Sequence, residues 1–231
     1  MTDAVRVQIL ATEHWSLLAT RQLAWTEAFS RATLFLTVLS ASVVALALVA
    51  QTGSDRDFTL FSLVLLPVVL ILGLATFFRL GAINQEDLRL VVGMNRLRRG
   101  YLDIAPDLEP YFVTGTHDDA AGLARTMGLD GTFRRALPLQ VLVSTPVVIG
   151  MLNGVICGVL TGIAAQGAGL SSAPAAGVGV LGGLVLLGLL ALVPARQLSQ
   201  EPKTYRPHFP GGSDGTGEER GGSPGARLGD R

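Results

Sequence analysis

The chain has 231 residues, of which 49% are hydrophobic and only 16% are charged, and its 18 basic and 18 acidic side chains cancel. Soluble domains carry about 25% charged residues, so the composition excludes an ordinary soluble domain. Zero net charge argues against nucleic acid as a partner. The one cysteine, Cys157, excludes an intrachain disulfide and a multi-cysteine metal site.

Three stretches of the chain carry no charge: residues 32–54, 58–78 and 136–195. A bilayer-spanning helix needs about 20 apolar residues. The first two stretches therefore hold one span each, and the third, interrupted by QGAGLSSAPAA, holds two. We predict an all-α membrane protein whose four transmembrane helices form two hairpins, with spans near 32–50, 58–78, 142–164 and 175–194.

The basic residues predict the orientation of these spans. Three precede the first span, eight lie between the second and third, and six follow the fourth, which accounts for 17 of the 18. The positive-inside rule makes their side cytoplasmic. Both termini and the central region are then cytoplasmic, two short loops face outward, and the lipid bilayer is the first partner.

Residues 1–31 read as a cytoplasmic amphipathic helix that runs directly into the first transmembrane hairpin, residues 32–78. The residues predicted near one face of this helix are Val7, Leu10, His14, Leu17 or Leu18, Arg21, Trp25 and Phe29. Helix two continues in the same way. From residue 80, positions at alternating steps of three and four form a heptad repeat in which seven of eight residues are apolar or aromatic: Leu80, Ile83, Asp87, Leu90, Met94, Leu97, Tyr101 and Ile104.

The heptad pattern allows two interpretations. Helix two either docks on the N-terminal helix of the same chain or forms an interchain coiled coil. Asp87 occupies one of the heptad positions, where a carboxylate in the helix contact requires a partner. Arg21 and His14 are the candidates. The cytoplasmic helical region, 79–140, breaks at Ala105–Pro106.

A short helix is predicted over 119–127, capped by Asp118 or Asp119 and ended by Gly128. The neighbouring side chains of His117, Asp118 and Asp119 are assigned to this cap rather than to a metal. We predict no cofactor. Residues 196–231, rich in Gly and Pro, are predicted to be a disordered cytoplasmic tail.

The second transmembrane hairpin, residues 141–195, is rich in glycine. Gly150, Gly154, Gly158 and Gly162 recur every fourth residue, and Gly179 and Gly183 share that spacing in span four. Small residues at this spacing form a surface on which another helix packs closely. The contact is either between spans three and four of one chain or between chains. GVGVLGG, residues 177–183, matches a dinucleotide motif in letters but lies inside a membrane span.

A second row, Asn153, Cys157 and Thr161, lies beside the glycines. These polar residues serve either as hydrogen-bonding contacts between helices or as the lining of a narrow aqueous path.

The run from Ala11 to Gln51 (ATEHWSLLATRQLAWTEAFSRATLFLTVLSASVVALALVAQ), with the later RLRRGYLDIAPDLEPYF, resembles bacterial integral membrane proteins that have no assigned activity. The layout of the first half is also similar to two-span SLATT-type domains, proposed as pore-forming effectors in bacterial conflict systems. The resemblance implies a multi-pass protein of a bacterial plasma membrane.

The preferred function is a non-enzymatic membrane protein that assembles through its helices as a scaffold, sensor or adaptor, with a homo-oligomer as a possible form. The alternative is a homo-oligomeric pore lined near Asn153, Cys157 and Thr161.

Overall fold

The computed structural model describes residues 1–129, 144–200 and 206–211, with residues 194–200 described by their main chain alone. Predicted features that fall on other residues, including the boundary near 140 and most of the tail, lie outside this description. The described elements are α1 (Asp3–Thr52), α2 (Asp55–Ile104), a 3₁₀ helix (Pro106–Tyr111), α3 (Ala120–Thr126), α4 (Thr145–Gly167) and α5 (Ser172–Gln200). No strand occurs among these residues, and the predicted all-α class is confirmed.

Four of the helices are long and apolar enough to cross a membrane: α1, α2, α4 and the part of α5 from Ser172 to Val193. Helices α1 and α2 have 50 residues each, so each is about 75 Å long, against about 30 Å for the hydrocarbon core of a bilayer. The predicted continuity of both helices is therefore confirmed. We call residues 3–31 of α1 and 79–104 of α2 the extensions, because they project about 40 Å beyond the spans.

The turn between α1 and α2 consists of Gly53 and Ser54. Ser54 caps α2: its hydroxyl accepts a hydrogen bond from the Asp57 amide at 3.3 Å, and Asp57 accepts one from the Ser54 amide at 3.1 Å. This reciprocal capping box satisfies two amides that a helix start leaves unpaired. A two-residue turn fixed in this way forces the two helices to run back along one another.

Helix α2 lies between two neighbours. It packs along α1 on one side and along α4 on another, and α5 packs along α4. The fully buried apolar side chains of this core come from three helices: Phe35 of α1, Val69 of α2 and Ile149 of α4. The α1–α2 hairpin is thus joined to the α4–α5 hairpin through α2.

The predicted face of α1 contacts α2 from Leu10 to Arg21 but not along its whole length. Phe29 is 59% exposed, whereas Ala24 and Ala28 turn toward α2, and Trp25, 40% exposed, reaches α2 through its indole nitrogen. Two consecutive steps of four after Arg21 advance by more than two helical turns, so the predicted positions leave the contact line. On α2 the same drift buries Val91 in place of the predicted Leu90. A straight helix advances about 20° per heptad against a strict seven-residue repeat.

The connection after α2 follows the predicted breaks. Helix α2 ends at Ile104, and Pro106 starts the 3₁₀ helix. Asp119, rather than Asp118, is the N-cap of α3, and its carboxylate accepts a hydrogen bond from the Gly122 amide at 2.8 Å. Gly128 follows α3 with φ at +66°, the left-handed conformation that glycine adopts without strain.

Candidate functional site

The extensions are joined by a buried carboxylate. Asp87 of α2 is 3% exposed and accepts hydrogen bonds from Arg21 Nε at 2.6 Å, Arg21 Nη2 at 3.1 Å and Trp25 Nε1 at 3.2 Å. Arg21 is thus confirmed as the partner predicted for Asp87. His14, the other candidate, instead stacks on Tyr101, with ring centroids 6.0 Å apart. The charge on the helix contact is neutralised where the two helices meet outside the bilayer.

A second ion pair joins the helices at the edge of the spans. Arg79 Nε and Nη2 each donate to the Glu27 carboxylate at 2.8 Å, and Arg31 Nε donates to the same carboxylate at 2.8 Å. These hydrogen bonds, that from Arg79 first, lower the pKa of Glu27 to about 2. Sequence reasoning missed this pair, although opposite charges bordering two consecutive spans were the available signal.

Asn95 fixes the connection to the extension of α2. Its fully buried amide donates from Nδ2 to the carbonyl of His117 at 2.8 Å, and its Oδ1 accepts from Arg98 and from the Thr126 hydroxyl, both at 2.8 Å. One side chain therefore holds both the loop before α3 and the end of α3. Because Asn95 belongs to α2, these hydrogen bonds place the residues that follow His117 against α2.

Asp118 is the centre of the most distinctive site outside the spans. Its side chain is fully buried, and Oδ2 accepts a hydrogen bond from Arg96 Nε at 2.8 Å. The same carboxylate accepts the amides of His208 at 2.9 Å and Phe209 at 2.8 Å, while Asp119 accepts the amide of Gly211 at 2.7 Å. We call Arg96, Asp118 and Asp119 the tail anchor, because they hold the C-terminal segment 206–211.

The tail segment matches the anchor in its main chain. Pro207 and Pro210 have no N–H group, so residues 207–211 offer three amide donors, and the two aspartates accept all three. Hydrogen bonds to an ionised acceptor are roughly twice as strong as neutral ones. Residues 206–211 belong to the tail that is predicted to be disordered, and these main-chain donors give them an interaction that apolar composition does not reveal.

The glycines of the second hairpin bring two backbones together. A Cβ on Gly179 would lie 2.7 Å from the carbonyl oxygen of Gly158, and one on Gly183 would lie 2.7 Å from that of Gly154. A Cβ on Gly162 would lie 3.7 Å from Gly179 Cα. Any side chain at Gly179 or Gly183 would therefore push main chain away from main chain. The glycines serve close packing of α4 on α5 within one chain.

Gly150, the first glycine of the row, has a different neighbour. A Cβ there would lie 3.2 Å from the ring of Phe77 on α2. The row therefore winds from α2 to α5 along α4, because residues four apart are displaced by 40° around a helix.

The polar row is likewise divided between neighbours. Asn153 is fully buried, and its Nδ2 donates to the Ile149 carbonyl of its own helix at 2.8 Å. Its Oδ1 occupies the space that a Cβ on Gly73 of α2 would take, beside the ring of Phe35. Among the described residues Oδ1 has no hydrogen-bond donor.

Cys157 and Thr161 face α5 instead. Cys157 Sγ lies 3.7 Å from the carbonyl oxygen of Gly182. The Thr161 hydroxyl donates to the Cys157 carbonyl at 2.9 Å and fills the space beside Gly182. Asn153 thus lies toward α2, whereas Cys157 and Thr161 lie toward α5, and the three side chains do not converge.

Comparison of the chain with protein-family models, with curated proteins and with solved structures gives no match. The ion pairs stiffen the extensions, and the tail anchor captures the main chain of a peptide segment. Both arrangements hold elements of a membrane protein in place outside the bilayer.

Proposed function

We propose that this protein is a non-enzymatic scaffold or sensor of a bacterial plasma membrane, which assembles through its helices and presents its extensions to the cytoplasm. The observation that carries the proposal is the pairing of Asp87 with Arg21 and Trp25. A helix that only anchors a chain in lipid needs no such pairing beyond the bilayer. Here the pairing holds the two helices together outside the spans, so the extensions form a rigid platform.

The packing inside the bilayer supports the same function. Close contact of α4 with α5 at Gly158 and Gly179 resembles the small-residue packing of stable helix pairs in membranes. Asn153 fills the space beside Gly73 rather than facing an open path. These contacts favour a dry, tightly packed body, and within the described part of one chain they give the pore alternative no continuous polar lining.

The first test measures assembly. The full chain is extracted from its membrane in lipid nanodiscs formed without detergent, and its stoichiometry is measured by mass photometry. We expect a discrete oligomer. It should survive dilution, because a scaffold that assembles through its helices is held by contacts within the membrane. A monomer at the expression level of the native membrane would contradict the proposal.

The second test separates a scaffold from a pore through Cys157. A small membrane-impermeant maleimide is applied to membranes opened on both faces, and labelling is repeated after full denaturation. The scaffold predicts labelling after denaturation alone, because Sγ lies beside Gly182 inside the spans. Rapid labelling of the native protein would show that water reaches the middle of α4 and would favour the pore.

A further inference from the structure

The extensions continue for about 25 Å beyond Asp87. We call residues 3–18 of α1 and 91–104 of α2 the distal extensions. Among the described residues no ion pair joins the two helices in this part. Leu10 fills the space beside Gly100, where a Cβ would lie 3.3 Å from the leucine methyl carbons. Because apolar packing alone joins the helices here, one added charge is enough to alter their association.

His14 lies at the centre of this distal contact. On α1 it follows Leu10 by four residues and precedes Arg21 by seven, so the three share one line of the helix. Its half-buried ring stacks on Tyr101 of α2, with centroids 6.0 Å apart and planes inclined by 26°. Partial burial raises the pKa of Tyr101, so the phenol stays neutral. The imidazole is therefore the group of this pair that changes charge near neutrality.

Arg98 places a positive charge beside the stacked rings. It lies three residues before Tyr101, so the two side chains are neighbours on one face of α2. Arg98 is half-buried, and Nη1 donates to Asn95 Oδ1 at 2.8 Å and to the Gly115 carbonyl at 3.5 Å. Both acceptors are neutral, so neither cancels the charge of the guanidinium. Burial and the charge of Arg21 lower the pKa of Arg98, but arginine stays ionised throughout the neutral and mildly acidic range.

The carboxylates on α2 and on the elements that pack against it do not offset this charge. Four are bound to arginine side chains or main-chain amides: Asp87, Asp103, Asp118 and Asp119. Those of the 3₁₀ helix, Asp107 and Glu109, are exposed to water. On α1 itself, Arg6 and Glu13 are exposed as well. Within the described chain, His14 thus faces Arg98 without a buried carboxylate to attract a proton.

A proton on His14 would add a third positive charge to a contact that already holds Arg21 and Arg98. Partial burial, and then the charge of Arg98, lower the pKa of His14 from its ordinary value of 6.5. Separated helices restore that value, so they bind the proton more strongly than the closed contact does. The closed contact is therefore fully stable above pH 6.5 and is weakened as the pH falls below it. The face of Tyr101 attracts a cation, but 6.0 Å is the limit at which that attraction acts.

We propose that His14 makes the distal extensions an acid-sensitive contact, closed at neutral pH and opened when mild acid places a proton beside Arg98. The pair of Arg21 with Asp87 marks where the opening stops, because its carboxylate is held by the guanidinium and by Trp25. Acid as the stimulus of a sensor rests on the proposed function, whereas the opening is a property of one chain.

The test measures hydrogen exchange of the full chain in lipid nanodiscs at pH 7.5 and pH 5, in peptides from residues 3–18 and 91–104. The reference is His14→Phe, which keeps a stacking ring and carries no charge. Unaltered protein and reference are compared at the same pH, so the intrinsic pH dependence of exchange cancels. The acid response is the ratio of their rates at pH 5 divided by that ratio at pH 7.5.

We expect an acid response of at least fivefold. It cannot exceed about 30-fold, the factor that a histidine of pKa 6.5 in the open state gives at pH 5. His14→Lys, charged at both pH values, should exchange rapidly at both. His208→Gln is the matched control, because it removes an exposed histidine outside the contact and should keep the full response.

A response of one would overturn the proposal. A response below one would overturn it too, since Tyr101 would then attract the charged imidazole more than Arg98 repels it. Loss of the response in His208→Gln would assign the effect to the tail and refute the role of His14. The mass measurement is independent of these outcomes. An oligomer without an acid response leaves the scaffold standing, whereas a monomer with one refutes the assembly alone.

Discussion

Arg21 and Asp87, 66 residues apart in sequence, form an ion pair in which both carboxylate oxygens of Asp87 accept hydrogen bonds from the guanidinium. The carboxylate is almost fully buried, while the Arg21 side chain keeps 32% of its exposure. The pair therefore fixes the register of the two extensions, because sliding either helix by one turn would leave Asp87 buried without its partner.

Asp87→Asn should destabilise the extensions. Removing one member of a buried pair costs about 3–5 kcal/mol, and the partial exposure of Arg21 reduces this to about 2–3 kcal/mol. Thermal unfolding of the full chain, followed by circular dichroism in mild detergent, measures the loss. Exchanging the two charges, Arg21→Asp with Asp87→Arg, should restore part of it. Asp103→Asn, which removes an exposed pair with Arg99, is the control.

Gly179→Ala should separate α4 from α5. The added Cβ would meet the carbonyl oxygen of Gly158, and main chain cannot turn aside as a flexible side chain can. Overpacking of this kind costs about 1–3 kcal/mol, measured as a lower unfolding temperature. Gly177→Ala is the matched control, because a Cβ there meets no atom within 4 Å. Equal stability of the two variants would contradict the close contact.

Gly73→Ala should be tolerated better when Asn153 is also shortened. The new Cβ would overlap Asn153 Oδ1 and lie 2.7 Å from the ring of Phe35, so we expect a loss of about 1–3 kcal/mol. Gly73→Ala with Asn153→Ala should lose less than the sum of the two single changes, as measured in a double-mutant cycle. Gly81→Ala, in open space on the same helix, should cost nothing. Strict additivity would show that the two residues do not touch.

Asp118→Ala should release the C-terminal segment. Without the carboxylate, the amides of His208 and Phe209 lose their acceptor, and we expect their hydrogen exchange to accelerate at least tenfold. Mass spectrometry of the peptide that contains residues 206–211 reports the change. Asp107→Ala, in the exposed 3₁₀ helix, should leave the exchange unchanged. Protection that persists in Asp118→Ala would mean that the anchor does not hold the segment.

The pair of Glu27 with Arg79 should respond to acid only well below neutrality. The pKa of Glu27 is lowered from 4.5 to about 2, so the contribution of the pair to stability is fully present above pH 4.5 and is lost as the pH falls through about 2. Unfolding temperatures measured between pH 5 and pH 2 should fall less steeply for Glu27→Gln than for the unaltered protein. Glu13→Gln, at an exposed position of the same helix, should keep the original slope. Identical slopes in all three proteins would contradict a role for Glu27.

The elements set by local composition could be predicted from the sequence. Uncharged stretches identify the spans, because every side chain in the hydrocarbon core of a bilayer meets the same apolar surroundings. The partner of Asp87 was also predictable, since a carboxylate on a buried contact needs a cation at the facing position, and Arg21 stood there. Few other basic residues lie at the same distance from the predicted spans, so the chain offered few other partners for Asp87.

Contacts that depend on distant main chain could not be predicted. The anchor at Asp118 binds amides of residues about 90 positions away, and an amide has the same chemistry in every residue other than proline. Gly73 belongs to no repeated spacing of glycines. The need for glycine at this position depends on Asn153, which lies in the other hairpin. The predicted face of α1 left the contact with α2 at Phe29 for a simpler reason. Steps of three and four are equally allowed locally, and only the facing helix decides between them.

The two-residue turn at Gly53 and Ser54 makes α1 and α2 a single paired rod, with less than half of its length held in lipid. A tilt of the spans would turn the whole rod, because Glu27 and Arg79 join the two helices where the extensions begin. A tilt of about 10° inside the bilayer would move the far ends of the extensions sideways by about 7 Å. Membrane helices tilt when bilayer thickness changes. A tilt of the spans would therefore displace the extensions most toward their far ends, beyond the contact of Leu10 with Gly100.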